Sequence, residues 1–229
     1  MKRRFFLLLI ILFIPCLSLF SLDLAAGAGL TITPYMQRIE VAKEGYFTAH
    51  AENNYVDMGF QAFFGAKYAE LHATYYRTLL MKYQQRSFGY PLDLMTEYAP
   101  VNISYLDLAL MGKIPISLEN GGTFNFFGGF AYKLNLTSDF GYYSYSGDWS
   151  RENWDQMWIK VGGSYDNPMN KKIFTRVAFS LGFPLKNEDW KEMEKIWKDI
   201  MRQIGHSSAK TSYFGVGAEL TLAIGYKIK

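Results

Sequence analysis

The sequence has almost no cysteine. Its single thiol, Cys16, lies in an apolar segment near the N-terminus, and nothing beyond it can form a disulfide or carry out thiol chemistry. Histidine is nearly as scarce, and neither His50 nor His72 has a partner at metal-ligand spacing. There is no phosphate-binding loop, no metal cluster and no internal repeat, so no cofactor is expected. No stretch after Phe20 is long and apolar enough for a spanning helix. Charge is not in excess either. The formal net charge of +3 is matched by three bases at the start, Lys2, Arg3 and Arg4. Nucleic acid is therefore not an expected partner.

What is abundant is aromatic: 17 Tyr, 18 Phe and 5 Trp in 229 residues. That load suits a β-protein and, in particular, the interface belts of a membrane barrel. The three early bases precede Phe5–Phe20, an apolar run broken only by Pro15, Cys16 and Ser18, and Ser21 is a small residue suited to cleavage. This is a signal-peptide layout, shorter than the roughly 20 residues a spanning helix needs. The expected organisation is a signal peptide over 1–21 and one domain over 22–229. Cys16 is a poor lipid-attachment site, because Phe13-Ile14-Pro15 precedes it where small residues belong.

Beyond the signal the hydrophobic period is two, which predicts strands. Eight runs stand out: Leu22–Thr33, Tyr55–Phe64, Tyr68–Arg77, Asn102–Ser117, Thr123–Leu136, Met157–Asp166, Lys172–Leu185 and Ser212–Ile228. Nearly all reach the roughly 9–11 residues that a tilted strand needs to cross a bilayer. Their connections alternate. Short turns lie at Gly65–Lys67, Leu118–Gly122 and Asn167–Lys171, the second carrying Asn120-Gly121-Gly122, which tolerate positive φ. Long loops are expected at 34–54, 78–101, 137–156 and 186–211. An up-and-down barrel with both termini on one side produces this alternation, and an even strand count closes the sheet without an edge.

The strand faces are distinct. In the last run Phe214, Val216, Ala218, Leu220, Leu222, Ile224, Tyr226 and Ile228 share one face; Gly215, Gly217, Glu219, Thr221, Ala223, Gly225 and Lys227 share the other. The fifth run sets Phe124, Phe126, Phe130, Tyr132, Leu134 and Leu136 against Thr123, Asn125, Phe127, Gly129, Ala131, Lys133 and Asn135. The first run, with Leu30 and Ile32 against Gly27, Gly29 and Thr31, agrees. A soluble barrel would turn the apolar face inward and a membrane barrel outward. The glycines of the polar face decide. Glycine costs entropy in a strand, which a solvent face has no reason to bear, whereas a narrow lumen needs small residues to make room for large ones. The fold class expected is therefore all-β: an eight-stranded antiparallel up-and-down transmembrane β-barrel.

With these features the chain resembles the small outer-membrane barrel proteins of the OmpA, OmpX and OmpW type. The resemblance covers residues 22–229 and rests on strand count, loop alternation and the final strand Tyr213–Lys229. That strand is similar to the assembly signal of such barrels, but it ends in Lys229 where they usually end in an aromatic residue. The resemblance implies the outer membrane of a diderm bacterium, with outer-membrane lipid and the barrel-assembly machinery as partners. It also implies a monomer, and loops free to meet an extracellular ligand or host surface.

Extending the strand parity places Asp23, Asp57, Glu70, Asp107 and Glu219 on the inner face with Lys113, Lys133, Lys160, Arg176 and Lys227. Unpaired charge in a confined lumen is costly, so these are expected to pair into a salt-bridged plug. The alternative is a narrow, porin-like polar conduit; a wide bore is excluded by the strand number.

The last long loop holds Trp190, Met193, Ile196, Trp197, Ile200, Met201 and Ile204 at spacings of three and four, an amphipathic helix capped by Asn187 and ended by Gly205. Its polar face is not basic, so a lid on the barrel mouth is expected rather than a helix in the membrane interface. The third long loop carries Tyr142, Tyr143, Tyr145, Trp149 and Trp154, which suit the headgroup level or a recognition surface. Catalysis is not expected. His206 and Ser208 precede the last strand, and Glu219 lies roughly 20 Å along it at ~3.3 Å per residue, too far for a triad.

Overall fold

In the computed structural model, the described residues are 23–43, 47–86, 95–99, 102–139, 156–185, 195, 198–199, 202 and 210–228. They form nine strands: β1 (Leu24–Lys43), β2 (Phe47–Gly65), β3 (Ala69–Arg86), β4 (Met95–Ala99), β5 (Asn102–Ser117), β6 (Thr123–Asp139), β7 (Gln156–Pro168), β8 (Ile173–Pro184) and β9 (Lys210–Ile228). Each pairs antiparallel with its neighbours, and β1 pairs both β2 and β9. The β2–β3 pairing completes the ring, so the sheet closes on itself.

The barrel is eight-stranded although nine strands are counted. Both β4 and β5 lie along β3, with Met81 opposite Ala99 and Arg77 opposite Ser104. They occupy one position in the ring.

The turns behave as their residues dictate. In the β5–β6 turn the Leu118 N–H donates to the Gly122 carbonyl at 2.9 Å and the Gly121 N–H to the Leu118 carbonyl at 3.0 Å. Gly121 takes φ 79°, a region in which a Cβ would be strained. Asn120 Oδ1 accepts from the Gly122 N–H at 3.0 Å.

The long-loop end departs from expectation. The pairing of β1 with β2 runs to Lys43 opposite Phe47, so most of the expected loop 34–54 is strand. Similarly β3 continues to Arg86, β6 to Asp139, and β9 begins at Lys210. The apolar alternation fades there, in stretches containing Arg38, Glu40, His50 and Glu52. Backbone hydrogen bonds can carry a ladder without it, which is why a hydrophobic period alone ends these strands too early.

The two faces separate cleanly. Outward-pointing apolar side chains are exposed on every side of the barrel: Leu30, Phe60, Tyr75, Ile114, Phe126, Val161, Phe179 and Leu222. Adjacent residues in sequence show the contrast, with Leu222 57% exposed and Thr221 1%. The inner face is polar, charged, small or aromatic. Its glycines leave room for rings: a Cβ on Gly27 would meet the Phe63 ring, and one on Gly225 the Phe174 ring. In the last long connection Lys195, Lys198, Asp199 and Arg202 are helical. The apolar stripe Trp190, Met193, Trp197, Ile200 and Met201 lies outside the described residues.

Candidate functional site

The lumen is organised in tiers along the barrel axis. The lowest lies near the short turns. Arg176, on β8, extends its guanidinium across the interior. Its Nε donates to Asp166 Oδ1 at 2.6 Å and its Nη2 to Asp166 Oδ2 at 2.8 Å, a bidentate fork. Its Nη1 donates to Glu70 Oε1 at 2.6 Å. Glu70, on β3, also receives Lys113 Nζ at 2.9 Å and lies 2.6 Å from His72 Nε2. The Phe63 and Phe174 rings lie 4.1 and 5.6 Å from the guanidinium carbon. Asn125 Nδ2 donates to Asp166 Oδ2 and to Ser164 Oγ, each at 3.2 Å. Arg176 and Glu70 are each 3% exposed, so this is a buried network. Its worth is asymmetric: removing one partner costs far more than the assembled cluster contributes.

The middle tier centres on Lys160, from β7. Its ammonium lies 2.9 Å from an oxygen of Asp107 and 2.9 Å from an oxygen of Glu219. The Glu219 contact is a hydrogen bond, whereas the Asp107 contact has the distance but not the angle of one. Glu219 further accepts from the Tyr76 hydroxyl and from Gln61 Nε2 at 3.2 Å. Gln61 also donates to Thr74 Oγ1 at 3.2 Å. This tier therefore ties β2, β3, β5, β7 and β9 together across the lumen.

Above it, toward the long loops, the lumen widens into a cavity of about 90 Å³. Lys133, from β6, stands at its wall. Its ammonium lies 4.0 Å from the Trp158 ring centre, 4.7 Å from that of Tyr105, 5.3 Å from that of Tyr35 and 5.6 Å from that of Tyr76. These are cation–π distances. Asp57, on β2, also lines the cavity; its carboxylate accepts from Thr78 Oγ1 at 2.7 Å and from the Tyr105 hydroxyl. No ion pair joins Lys133 to Asp57 or to any other carboxylate among the described residues.

Of the inner charges expected from strand parity, Glu70, Asp107, Lys113, Lys160, Arg176 and Glu219 meet in ion pairs. Asp57 is held by hydroxyls and Lys133 by rings. Asp23 and Lys227 are exposed at the turn-end rim, without ion pairs among the described residues. Asp23 precedes β1 and Lys227 is next to last in β9, at the rim where the barrel no longer encloses its inner face. Asp166 is not among the inner charges expected from the sequence, yet it shares Lys160's parity on β7 and closes the fork on Arg176. The same alternation would have found it. The aromatic surround of Lys133 had no local signal, because its rings come from β1, β3, β5 and β7.

His206 and Ser208, and the aromatic group Tyr142, Tyr143, Tyr145, Trp149 and Trp154, lie outside the described residues. Glu219 is committed to Lys160, Tyr76 and Gln61 inside the barrel.

The sequence matches no protein-family model and no curated protein. Among solved structures, it is similar to the outer membrane protein OprG from Pseudomonas aeruginosa, at 11% identity and TM-score 0.46, covering 90% of this chain and 95% of that one. It is similar to the outer membrane protease OmpT from Escherichia coli, at 9% identity and TM-score 0.41, covering 90% and 97%. A third is Neisserial surface protein A, at 8% identity and TM-score 0.38, covering 88% and 99%. Likenesses at this distance carry no argument about substrate, partner or activity. The closed eight-stranded ring, apolar outside and polar within, is the architecture of a small membrane barrel.

Proposed function

We propose that the protein is a small outer-membrane barrel with a sealed lumen, exported by residues 1–21 and working through the loops at its long-loop end. Its role is structural, adhesive or a surface interaction rather than general transport. The observation that carries this reading is the pair of ion-paired tiers crossing the interior, Arg176 with Glu70 and Asp166, then Lys160 with Asp107 and Glu219. An eight-stranded barrel has room for little beyond its own side chains, and these fill it with fixed charge. The outward belt of exposed Leu, Ile, Val and Phe supports a bilayer setting, since soluble proteins rarely leave so large an apolar surface uncovered. Outer-membrane lipid and the assembly machinery are then its necessary partners, and any ligand or host surface is met by the loops.

The test is single-channel conductance of the refolded protein in a planar bilayer. The expected result is a folded barrel, shown by its gel shift on boiling, with no reproducible current steps. Steps in the wild-type protein that change with Arg176→Ala would overturn the sealed lumen and establish a narrow channel.

A further inference from the structure

The cavity above the two tiers goes beyond a plugged barrel. It holds two opposite charges, Lys133 and Asp57, that attract one another but are not in ion-pair contact. Lys133 presents an ammonium with three N–H donors, and no carboxylate lies within ion-pair distance among the described residues. Asp57 presents a carboxylate held by two hydroxyl donors, with acceptor capacity remaining. Between and around them are the rings of Tyr35, Tyr55, Tyr105 and Trp158. Trp158 is 2% exposed, and its Nε1–H has no hydrogen-bond partner. A buried donor of this kind is costly to leave unmade.

Charge balance selects among ligands. The middle tier and the cavity together carry Asp57, Asp107 and Glu219 against Lys133 and Lys160. Acids already exceed bases, so an anion alone would add to the excess. A cation alone would lie beside Lys133, whose ammonium already occupies the aromatic faces. A molecule carrying one of each leaves the balance unchanged, offering Lys133 an acceptor and Asp57 a cation.

We infer that this cavity binds a small zwitterion, its carboxylate on Lys133, its cationic nitrogen toward Asp57, and its body against the tyrosine and tryptophan rings. The space suits a compact molecule, since about 90 Å³ exceeds the ~10–15 Å³ that one water requires. The Tyr55 ring, which Lys133 does not face, is left for an alkylated ammonium beside Asp57, and charge-assisted hydrogen bonds from Lys133 fix the carboxylate.

The probe is trimethylglycine, with acetate and tetramethylammonium as its two halves. All three carry methyl groups that report binding by saturation-transfer NMR to the refolded full chain in detergent micelles. Trimethylglycine should bind saturably, and each half should bind about tenfold more weakly or worse. Lys133→Met and Asp57→Asn, checked for folding by gel shift, should each weaken trimethylglycine by a similar factor. The inference is overturned by no saturable binding, by either half binding as well as the whole, or by affinity unchanged in Lys133→Met. Should Asp57→Asn fail to fold, the comparison of halves on the wild-type protein decides. None of these outcomes depends on whether the lumen conducts, so this inference and the sealed lumen stand or fall separately.

Discussion

Two cations are buried in one lumen and are stabilised by different means. Arg176, near the turns, is held by two carboxylates in near-ideal geometry with phenyl rings alongside. Lys133, toward the long loops, touches rings, and Asp57 and Asp107 stabilise it only from beyond ion-pair contact. The first arrangement uses up every strong group it contains: Glu70 and Asp166 are answered by Arg176, Lys113 and His72. The second leaves hydrogen-bonding capacity on Lys133, Asp57 and Trp158. The planar guanidinium suits the fork onto Asp166, which a point-charge ammonium could not make. The ammonium in turn suits the faces of several rings at once. A closed network favours rigidity. A charge out of ion-pair contact beside a cavity favours a visitor.

The largest effect should come from Arg176→Ala. It takes the only ion-pair partner from Asp166 among the described residues and leaves Glu70 with Lys113 and His72, and should cost about 3 kcal/mol of folding free energy. Urea titration of refolding into lipid vesicles, read by the mobility of unboiled samples, measures it. A loss below that of Lys133→Met would erase the distinction between the two cations.

Next is the outer face, the counterpart of both. Leu222→Arg places a charge in the belt opposite hydrocarbon, and near mid-bilayer should cost about 2–4 kcal/mol in the same titration. A neutral effect would mean that this face does not meet lipid.

The smallest effect should come from Lys133→Met. The cation–π contacts, worth about 0.5–2 kcal/mol, are lost while the burden of burying an ammonium is relieved. Since no carboxylate in ion-pair contact is stranded, stability should move by about 1 kcal/mol or less. A loss as large as that of Arg176→Ala would show that Lys133 has a charged partner after all.

Much of the barrel was legible in the residues. Alternation along β9, with Leu220, Leu222 and Ile224 against Glu219, Thr221 and Ala223, specifies which face meets which environment, because side-chain period in a strand is two. Asn120-Gly121-Gly122 announces a tight turn, because that turn needs positive φ. The strand ends were not legible at the long-loop end. Pairing there is carried by backbone groups, and those leave no trace in residue type.

The candidate site was legible only as a set of inward charges. Parity placed Glu70 and Arg176 in the lumen but could not say that they meet, since they stand on strands far apart in the chain. It did not separate Lys133, held by rings, from Lys160, which answers two carboxylates. The sequence by itself determined a closed β-barrel, its outward face and the charged character of its interior, because these follow from local periodicity and turn chemistry. Only the tertiary structure decided which charges pair, which is left to aromatic rings, and where a cavity remains. Those outcomes depend on the stagger of strands around the ring, a property of the closed sheet and of no single strand.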